Sequence, residues 1–326
     1  MHAQIKNFYL TSNISIRIYL KTLIVASNTN FLDWLKEYPY KTRIISYNKE
    51  MSRLRKAFFW LFLKPRFKLL SYKYDIIFCD WFGELASIMS KVSSKSIFIR
   101  VHRSEVYGSK FLNESKLGNI KCIITVSNHY KNIVNNIYGG NIPVCVVPNG
   151  IDTAKYSFNP HINRPLKLCT VSYLIPRKRI FDLIVNNPDL EINIGGDGIE
   201  RMILENAVDR FSLKAKLYGF VELPDFYHKH DIFIINSSDE SFGVSIIEAM
   251  SCGLIPLSFS RPEAEEILPK EYLYRDYDEM RKKIAELMDK TDEELMKIKR
   301  EMRSIVESKF SLECQVAQFL SLFSQY

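Results

Sequence analysis

The sequence predicts an α/β chain of two doubly wound domains, and three observations carry that prediction. Short, near-continuous apolar runs alternate with amphipathic stretches almost throughout. Eleven of the runs read as strands, more than one twisted sheet ordinarily holds. A break at residues 152–165, marked by Asn159-Pro160, Asn163 and Pro165, interrupts the pattern where the charge balance changes sign.

The first series of strands is Thr22–Ala26, Thr42–Ser46, Asp75–Asp80, Ser96–Val101, Cys122–Ser127 and Val144–Pro148. The second is Leu166–Ser172, Leu190–Gly195, Lys216–Tyr218, Ile232–Asn236 and Ile255–Ser258. Helical periodicity falls between them at Asn128–Ile137, Ile180–Asn186, Glu200–Phe211 and Val244–Cys252, and a last helix spans Leu312–Phe323. Apolar strands alternating with helices imply parallel sheets covered on both faces. The expected division is 1–151, 152–310 and a terminal helix at 311–326.

Composition narrows the class. The chain has 326 residues, 47% hydrophobic and 25% charged, which excludes intrinsic disorder. No apolar run approaches the roughly 18 residues of a membrane span, and the N-terminus lacks a clean signal-peptide core. The six cysteines match no metal-ligand spacing, and most sit inside apolar runs, which favours a reducing, cytoplasmic setting. The net charge of +8 conceals an asymmetry: residues 1–150 carry 22 basic and 8 acidic side chains, and the remainder 23 and 29. A balance of +14 in one half points to an anionic surface or polymer as its neighbour.

The strongest local signal is NSSDESFGVSIIEAMSCGLIPL, residues 236–257. A strand ends in a polar loop, Gly243 opens a helix, and Gly253 and Pro256 close it. The amides of Phe242, Gly243 and Val244 would stand free at the helix N-terminus, where a phosphate is stabilised. Glu240 and Glu248 lie eight positions apart, in the loop and two turns into the helix. A carboxylate beside a phosphate is repulsive unless it points at hydroxyls, which a nucleotide sugar supplies. Two glutamates at this spacing alone would also suit an ordinary strand–loop–helix crossover; the embedding SFG, EAM and CG-x-x-P set them apart.

ESFGVSIIEAMSCG resembles the E-x7-E signature of the retaining glycosyltransferases of family 4, which have the GT-B fold. Further stretches agree in order: FIRVHRSE (98–105), CIITVS (122–127), VVPNGID (146–152), SYLIPRKR (172–179), INIGGDG (192–198) and KLYGFV (216–221). The resemblance covers about residues 70–260, is poor before them, and reaches the tail only as helices. It implies two Rossmann-like domains facing a central cleft, with the terminal helix returning to the first.

The resemblance also implies roles. Glu248 would accept both ribose hydroxyls of the donor, and Glu240 would contact the donor sugar near its anomeric carbon. Gly243, Val244 and Phe242 would offer amides to the diphosphate. Lys178 would face the leaving diphosphate, where a fixed cation stabilises growing charge. His102 would border the donor sugar from across the cleft, and Gly196, Asp197 and Phe220 would line the donor side. The sequence departs from the family at Tyr173, which replaces its arginine, and at Ser172, which replaces its glycine. Arg177 or Arg179 would have to substitute. The family's glycine-rich first loop reads Ser27-Asn28-Thr29-Asn30 here.

No metal is expected. Asp276 and Asp278 form a D-x-D, but it precedes a helix and Asp278 reads as its N-cap. Gly195-Gly196-Asp197-Gly198 lacks the spacing of a dinucleotide fingerprint, since position 201 is Arg. Residues 51–73 carry seven basic and no acidic residues interleaved with aromatics, which suits an anionic membrane surface as well as a core helix with a solvated basic face.

The expected activity is therefore retaining, metal-independent transfer of a hexosyl unit from a UDP- or GDP-linked sugar to a glycan or lipid-linked acceptor. The rivals are a nucleotide-sugar epimerase of the same fold and a glycosyltransferase-like partner protein weakened by Tyr173. Nucleic-acid binding is the third, and no recognition-helix motif supports it.

Overall fold

The computed structural model describes residues 21–26, 32–39, 41–46, 65, 67–80, 84–108, 119–138 and 142–325. They form two six-stranded sheets in which every pairing is parallel. The first contains β1 (Thr22–Ala26), β2 (Thr42–Ser46), β3 (Ile76–Asp80), β4 (Ser96–Arg100), β5 (Ile120–Thr125) and β6 (Val144–Val146), in the order β2-β1-β3-β4-β5-β6. The second contains β7 (Leu168–Val171), β8 (Ile192–Gly195), β9 (Lys216–Gly219), β10 (Ile232–Ile235), β11 (Ile255–Phe259) and β12 (Leu273–Tyr274). Its order is β12-β11-β10-β7-β8-β9, so the winding reverses between β7 and β10. Ligands of open α/β sheets bind beyond the carboxyl ends of the strands at such a reversal.

All eleven expected strands are present, their ends shifted by at most two residues. The two-residue β12 is too short to show a period. In the first sheet, alternate side chains face opposite layers. Leu23, Val25, Ile77, Cys79, Ile97 and Ile99 pack with helices α1 (Glu84–Val92) and α3 (Asn128–Tyr138). Between α1 and α3 runs the short α2 (Arg103–Gly108). Ile24, Phe78, Phe98 and Ile124 face the other way, toward Trp34 and the terminal helix, residues Leu312–Phe323. There Phe319 lies 4.6 Å from Trp34 and 5.3 Å from Phe78, ring centre to ring centre. The terminal helix thus completes the core of the first sheet.

The second sheet carries α4 (Ile180–Val185), α5 (Arg201–Phe211), α6 (Val244–Ser251), α7 (Pro262–Ile267), α8 (Tyr277–Met288) and α9 (Asp292–Lys309), before the terminal helix α10. Asp276, not Asp278, caps α8: its backbone is extended, and its Oδ1 accepts the Glu279 amide at 2.8 Å. Asp278 lies inside the first turn, where its charge complements the helix dipole instead.

The chain passes between the sheets twice, and the two passages touch. Ile151 donates its amide to the Phe310 carbonyl at 2.9 Å, and Leu312 returns one to Ile151 at 3.1 Å. Gly150 is required there, since a Cβ would stand 2.6 Å from the Ser311 carbonyl oxygen. The segment 161–167 is held by a buried ion pair, Lys299 to Asp231 at 3.0 Å, whose carboxylate also accepts the Asn163 and Lys167 amides.

Of the basic stretch 51–73, residues 51–64 and 66 lie outside the described residues, as do 27–30. Phe67 and Leu70 are buried, and Lys68, Leu69 and Tyr72 are exposed. Among the described residues no helix is long and apolar enough to cross a membrane.

Candidate active site

The β7/β10 reversal gathers the central residues. After β7 the chain makes a one-turn 3-10 helix, Pro176–Lys178, which proline starts well because its missing N–H is unneeded there. Arg179 follows in the left-handed region, φ 53°, and its carbonyl accepts the Asn236 side-chain amide at 2.8 Å. After β10, Ser238 donates its amide to the Arg177 carbonyl at 2.9 Å. The two loops are therefore fastened together before their side chains meet.

Their side chains form one half-buried cluster. Lys178 is paired with Glu240 Oε1, and Arg177 Nη1 lies 3.3 Å from Glu240 Oε2 and 3.1 Å from the Asp239 carbonyl. Burial opposes ionisation of Glu240, but the adjacent Lys178 ammonium overcomes it and holds the carboxyl below its usual range. Burial also pulls the Lys178 ammonium below its usual range, against the attraction of Glu240. Arg179 turns away, pairing with Asp182 at 3.1 Å and covering the Phe259 ring at 4.8 Å.

Gly243, at φ 103°, opens α6 in a conformation that disfavours a side chain. Of the amides that follow, that of Ile246 turns back to the Gly243 carbonyl at 2.9 Å, while those of Val244 and Ser245 have no acceptor within the helix. Phe242 is buried, its ring 5.6 Å from that of Phe310. Glu248, on the next turns of α6, receives the Tyr156 hydroxyl on Oε1 at 2.7 Å. Burial raises its carboxyl above the ordinary range, with the Tyr156 bond opposing.

At the carboxyl ends of β8 and β9, Gly196 adopts φ 122° and donates its amide to the Gly219 carbonyl at 2.6 Å. A Cβ on Gly196 would collide with the Ser172 carbonyl. Asp197 is committed to its own turn: Oδ1 accepts the Gly198 amide at 2.7 Å, and Oδ2 faces Arg201 at 3.2 Å. Phe220 and Tyr173 project into solvent on this edge, 77% and 68% exposed.

His102 is buried at the end of β4, its Nε2 3.3 Å from Asp80 Oδ1, and Arg100 grips the same carboxylate. Burial opposes ionisation of Asp80, yet Arg100 and His102 hold it below its usual range. The next residue reaches the second domain: Arg103 pairs with Asp239 and donates its amide to Ser241 Oγ at 3.2 Å. Tyr130 donates its hydroxyl to Asp239 Oδ1 at 3.1 Å. At the same interface Glu266 accepts the Asn128 and His129 amides at 2.8 and 2.9 Å, capping α3 from the opposite domain. His102 is thus brought within one residue of the Glu240 loop, whereas Gly196, Asp197 and Phe220 form a separate edge of the second sheet.

Three participants were not singled out from sequence: Tyr156, Asp239 and Arg261. Arg261 follows β11 and is 4% exposed, packed beside Gly243. Its only linear signal is its position just past a strand next to β10. Among the described residues no cluster of three or more His, Cys, Asp or Glu side chains could hold a metal.

Comparison with known proteins agrees with this architecture. One subunit of the human phosphatidylinositol N-acetylglucosaminyltransferase is 32% identical over 143 residues, 40% of this chain and 30% of that protein. The GtfA subunit of a UDP-N-acetylglucosamine–peptide N-acetylglucosaminyltransferase from Limosilactobacillus reuteri is 28% identical over 144 residues, 41% of this chain and 26% of that protein. The matched stretch spans less than a third of either relative. The crystal structure of Anabaena HepE in complex with UDP superposes with a TM-score of 0.75, covering 94% of this chain and 100% of that one at 17% identity, a likeness of fold. Residues 154–304 match the family model described as glycosyl transferases group 1, carried here on a two-domain scaffold of the GT-B type.

Proposed function

We infer that this chain is a glycosyltransferase that moves a hexosyl unit from a nucleoside diphosphate sugar to an acceptor hydroxyl. One observation carries the reading: Lys178 and Glu240 are paired at the β7/β10 reversal, beside the open N-terminus of α6. A cation, a carboxylate and free amides at one point suit a donor with a diphosphate at one end and sugar hydroxyls at the other. UDP is favoured as the nucleotide, since the name of one relative and the ligand of one fold neighbour both contain it.

In the proposed reaction the bond from the anomeric carbon to the diphosphate oxygen breaks, and its electron pair stays on that oxygen. The acceptor oxygen bonds to the same face of the carbon, so configuration is retained, and its proton passes to the departing phosphate. Lys178 stabilises the growing charge, Glu240 orients the sugar, and Glu248 holds the ribose. His102 sits on the acceptor side, and Gly196, Asp197 and Phe220 form the outer wall of the donor site. The fixed cations supply the charge a divalent ion would otherwise bring, so the transfer is proposed to be metal-independent.

The test is a panel of UDP-, GDP- and ADP-linked sugars, with and without a chelator, read as nucleoside diphosphate release and product anomer by NMR. Undiminished transfer with chelator, retention and a UDP preference are expected. Failure of every donor to bind would remove the reading. A partner role without turnover is the second reading, favoured by Tyr173 in the family's arginine position and by relatives named as subunits. Binding without hydrolysis or transfer would select it. The basic segment 51–73 is proposed to meet an acidic membrane that presents the acceptor, and failure to sediment with anionic liposomes would exclude that.

A further inference from the structure

Among the described residues, Arg261 is the buried guanidinium of the Glu240 cluster with donors to spare. Its Nη1 is anchored on Ser258 Oγ at 2.9 Å and the Phe259 carbonyl at 3.3 Å. Its Nε and Nη2 have no hydrogen-bond partner among the described residues. Glu263 Oε2 stands 3.8 Å from Nε, outside hydrogen-bond reach. Nη2 would lie 3.4 Å from a Cβ on Gly243, so the guanidinium covers the mouth of α6 where no side chain intervenes.

Orphaned donors on a buried cation are costly, and a native structure keeps them where a water, an ion or a ligand completes the set. The local charge agrees. Lys178, Arg177 and Arg261 all act on Glu240, while Asp239 is occupied by Arg103 and Tyr130. With Glu263 as a second carboxylate beside Arg261, three cations face two carboxylates, an excess of positive charge that suits an anion. A guanidinium presents paired N–H groups that match phosphate oxygens.

We propose that Arg261 is the second cation of the diphosphate site, with Nε and Nη2 directed at phosphate oxygens above Gly243. It takes up the charge that the family's arginine would share and that Tyr173 cannot. This rests on the donor reading above and adds to it a residue from the β11–α7 turn.

Calorimetry with UDP, UMP and uridine, and with GDP and ADP as alternative diphosphates, on wild type and two variants tests it. Arg261→Met should weaken UDP by about tenfold to a hundredfold while leaving uridine unchanged, and Arg261→Lys should recover part of the loss. If the wild type binds none of UDP, GDP or ADP, the donor reading fails and this proposal with it. If the wild type binds UDP and Arg261→Met binds it equally well, Arg261 is no phosphate ligand although the donor reading stands. If Arg261→Met loses uridine and UDP alike, the residue is a strut for the α6 mouth, and the proposal is overturned in the same way.

Discussion

The Tyr156 hydroxyl donates to Glu248 Oε1 across 2.7 Å, tying the segment between the sheets to the helix that opens at Gly243. Burial favours the neutral form of Glu248, and this bond partly restores the anion. In the proposed donor site Glu248 accepts ribose hydroxyls on both oxygens, which requires the anion. Nucleoside diphosphate affinity should therefore fall with acid at a pH above the ordinary glutamate value of 4.5. Tyr156→Phe should move that fall to higher pH and weaken binding about fivefold at neutrality. The linkage to stability has the opposite sense: a carboxyl raised on folding holds its proton more tightly when folded, so it lowers stability as pH rises through its folded value. Titration calorimetry across pH checks the shift, and superimposable profiles for the two proteins would refute it.

Lys178 serves two terms at once. It neutralises a buried carboxylate in the resting site, and it would face the growing charge of the leaving group. Lys178→Ala should lower kcat about 100-fold or more with a much smaller change in donor Kd. Equal losses in both would place the residue in ground-state binding. Glu240, whose carboxyl is held low, contributes stability above its unfolded pKa that is lost as pH falls through its folded value. In Lys178→Ala that carboxyl should rise, so the acid limb of a thermal-denaturation profile should flatten.

Asp239 joins the domains one residue before Glu240. It binds Arg103 and Tyr130 of the first domain through its carboxylate, and its own carbonyl receives Arg177. Arg103 and Asp239 are each about a third exposed, so solvent screening limits the pair to about 1 kcal/mol or less. Asp239→Asn should then change the melting temperature little, yet reduce kcat/KM about tenfold, because closure positions the neighbouring Glu240. Arg103→Ala should add nothing further in the double variant. Additive losses in that cycle would show that the two residues act separately.

Most of the fold was legible because parallel strands covered on both faces read as unbroken apolar runs, as IIFCD and IFIIN do. The terminal helix was legible for a similar reason, since Phe319 and Phe323 fall on one helical stripe. The nearness of Lys178 and Glu240 was visible only through motif resemblance. Their contact follows from β7 lying next to β10, a strand order that linear spacing does not contain. Arg261 was hidden for the same reason, because nothing in SRPEAEE marks a guanidinium that folds back over Gly243. Tyr156 carries no linear signal, because its partner stands 92 positions away. The choice between Asp276 and Asp278 as a cap depended on backbone angles that the two letters share equally.

Gly150 offers a test of how the two domains are held. Its α-hydrogen faces the Ser311 carbonyl, and an added Cβ would lie 2.6 Å from that oxygen and 3.1 Å from Gln315 Cβ. Both neighbours are backbone or near-backbone atoms at the start of the terminal helix, so neither can swing aside as a long side chain would. Relief requires the 147–151 and 310–312 passages to separate, loosening the Ile151 and Leu312 amide bonds and the contact of Gln315 with the Pro148 carbonyl. Gly150→Ala should therefore cost about 1–3 kcal/mol, as overpacked sites do. Phe319 and Phe323 supply core to the first sheet, so the loss should appear as earlier exchange of amides in β3 and β4. Hydrogen exchange read by mass spectrometry distinguishes this from a local effect: protection lost only at 147–151 would mean that the terminal helix keeps its seat without the close crossing.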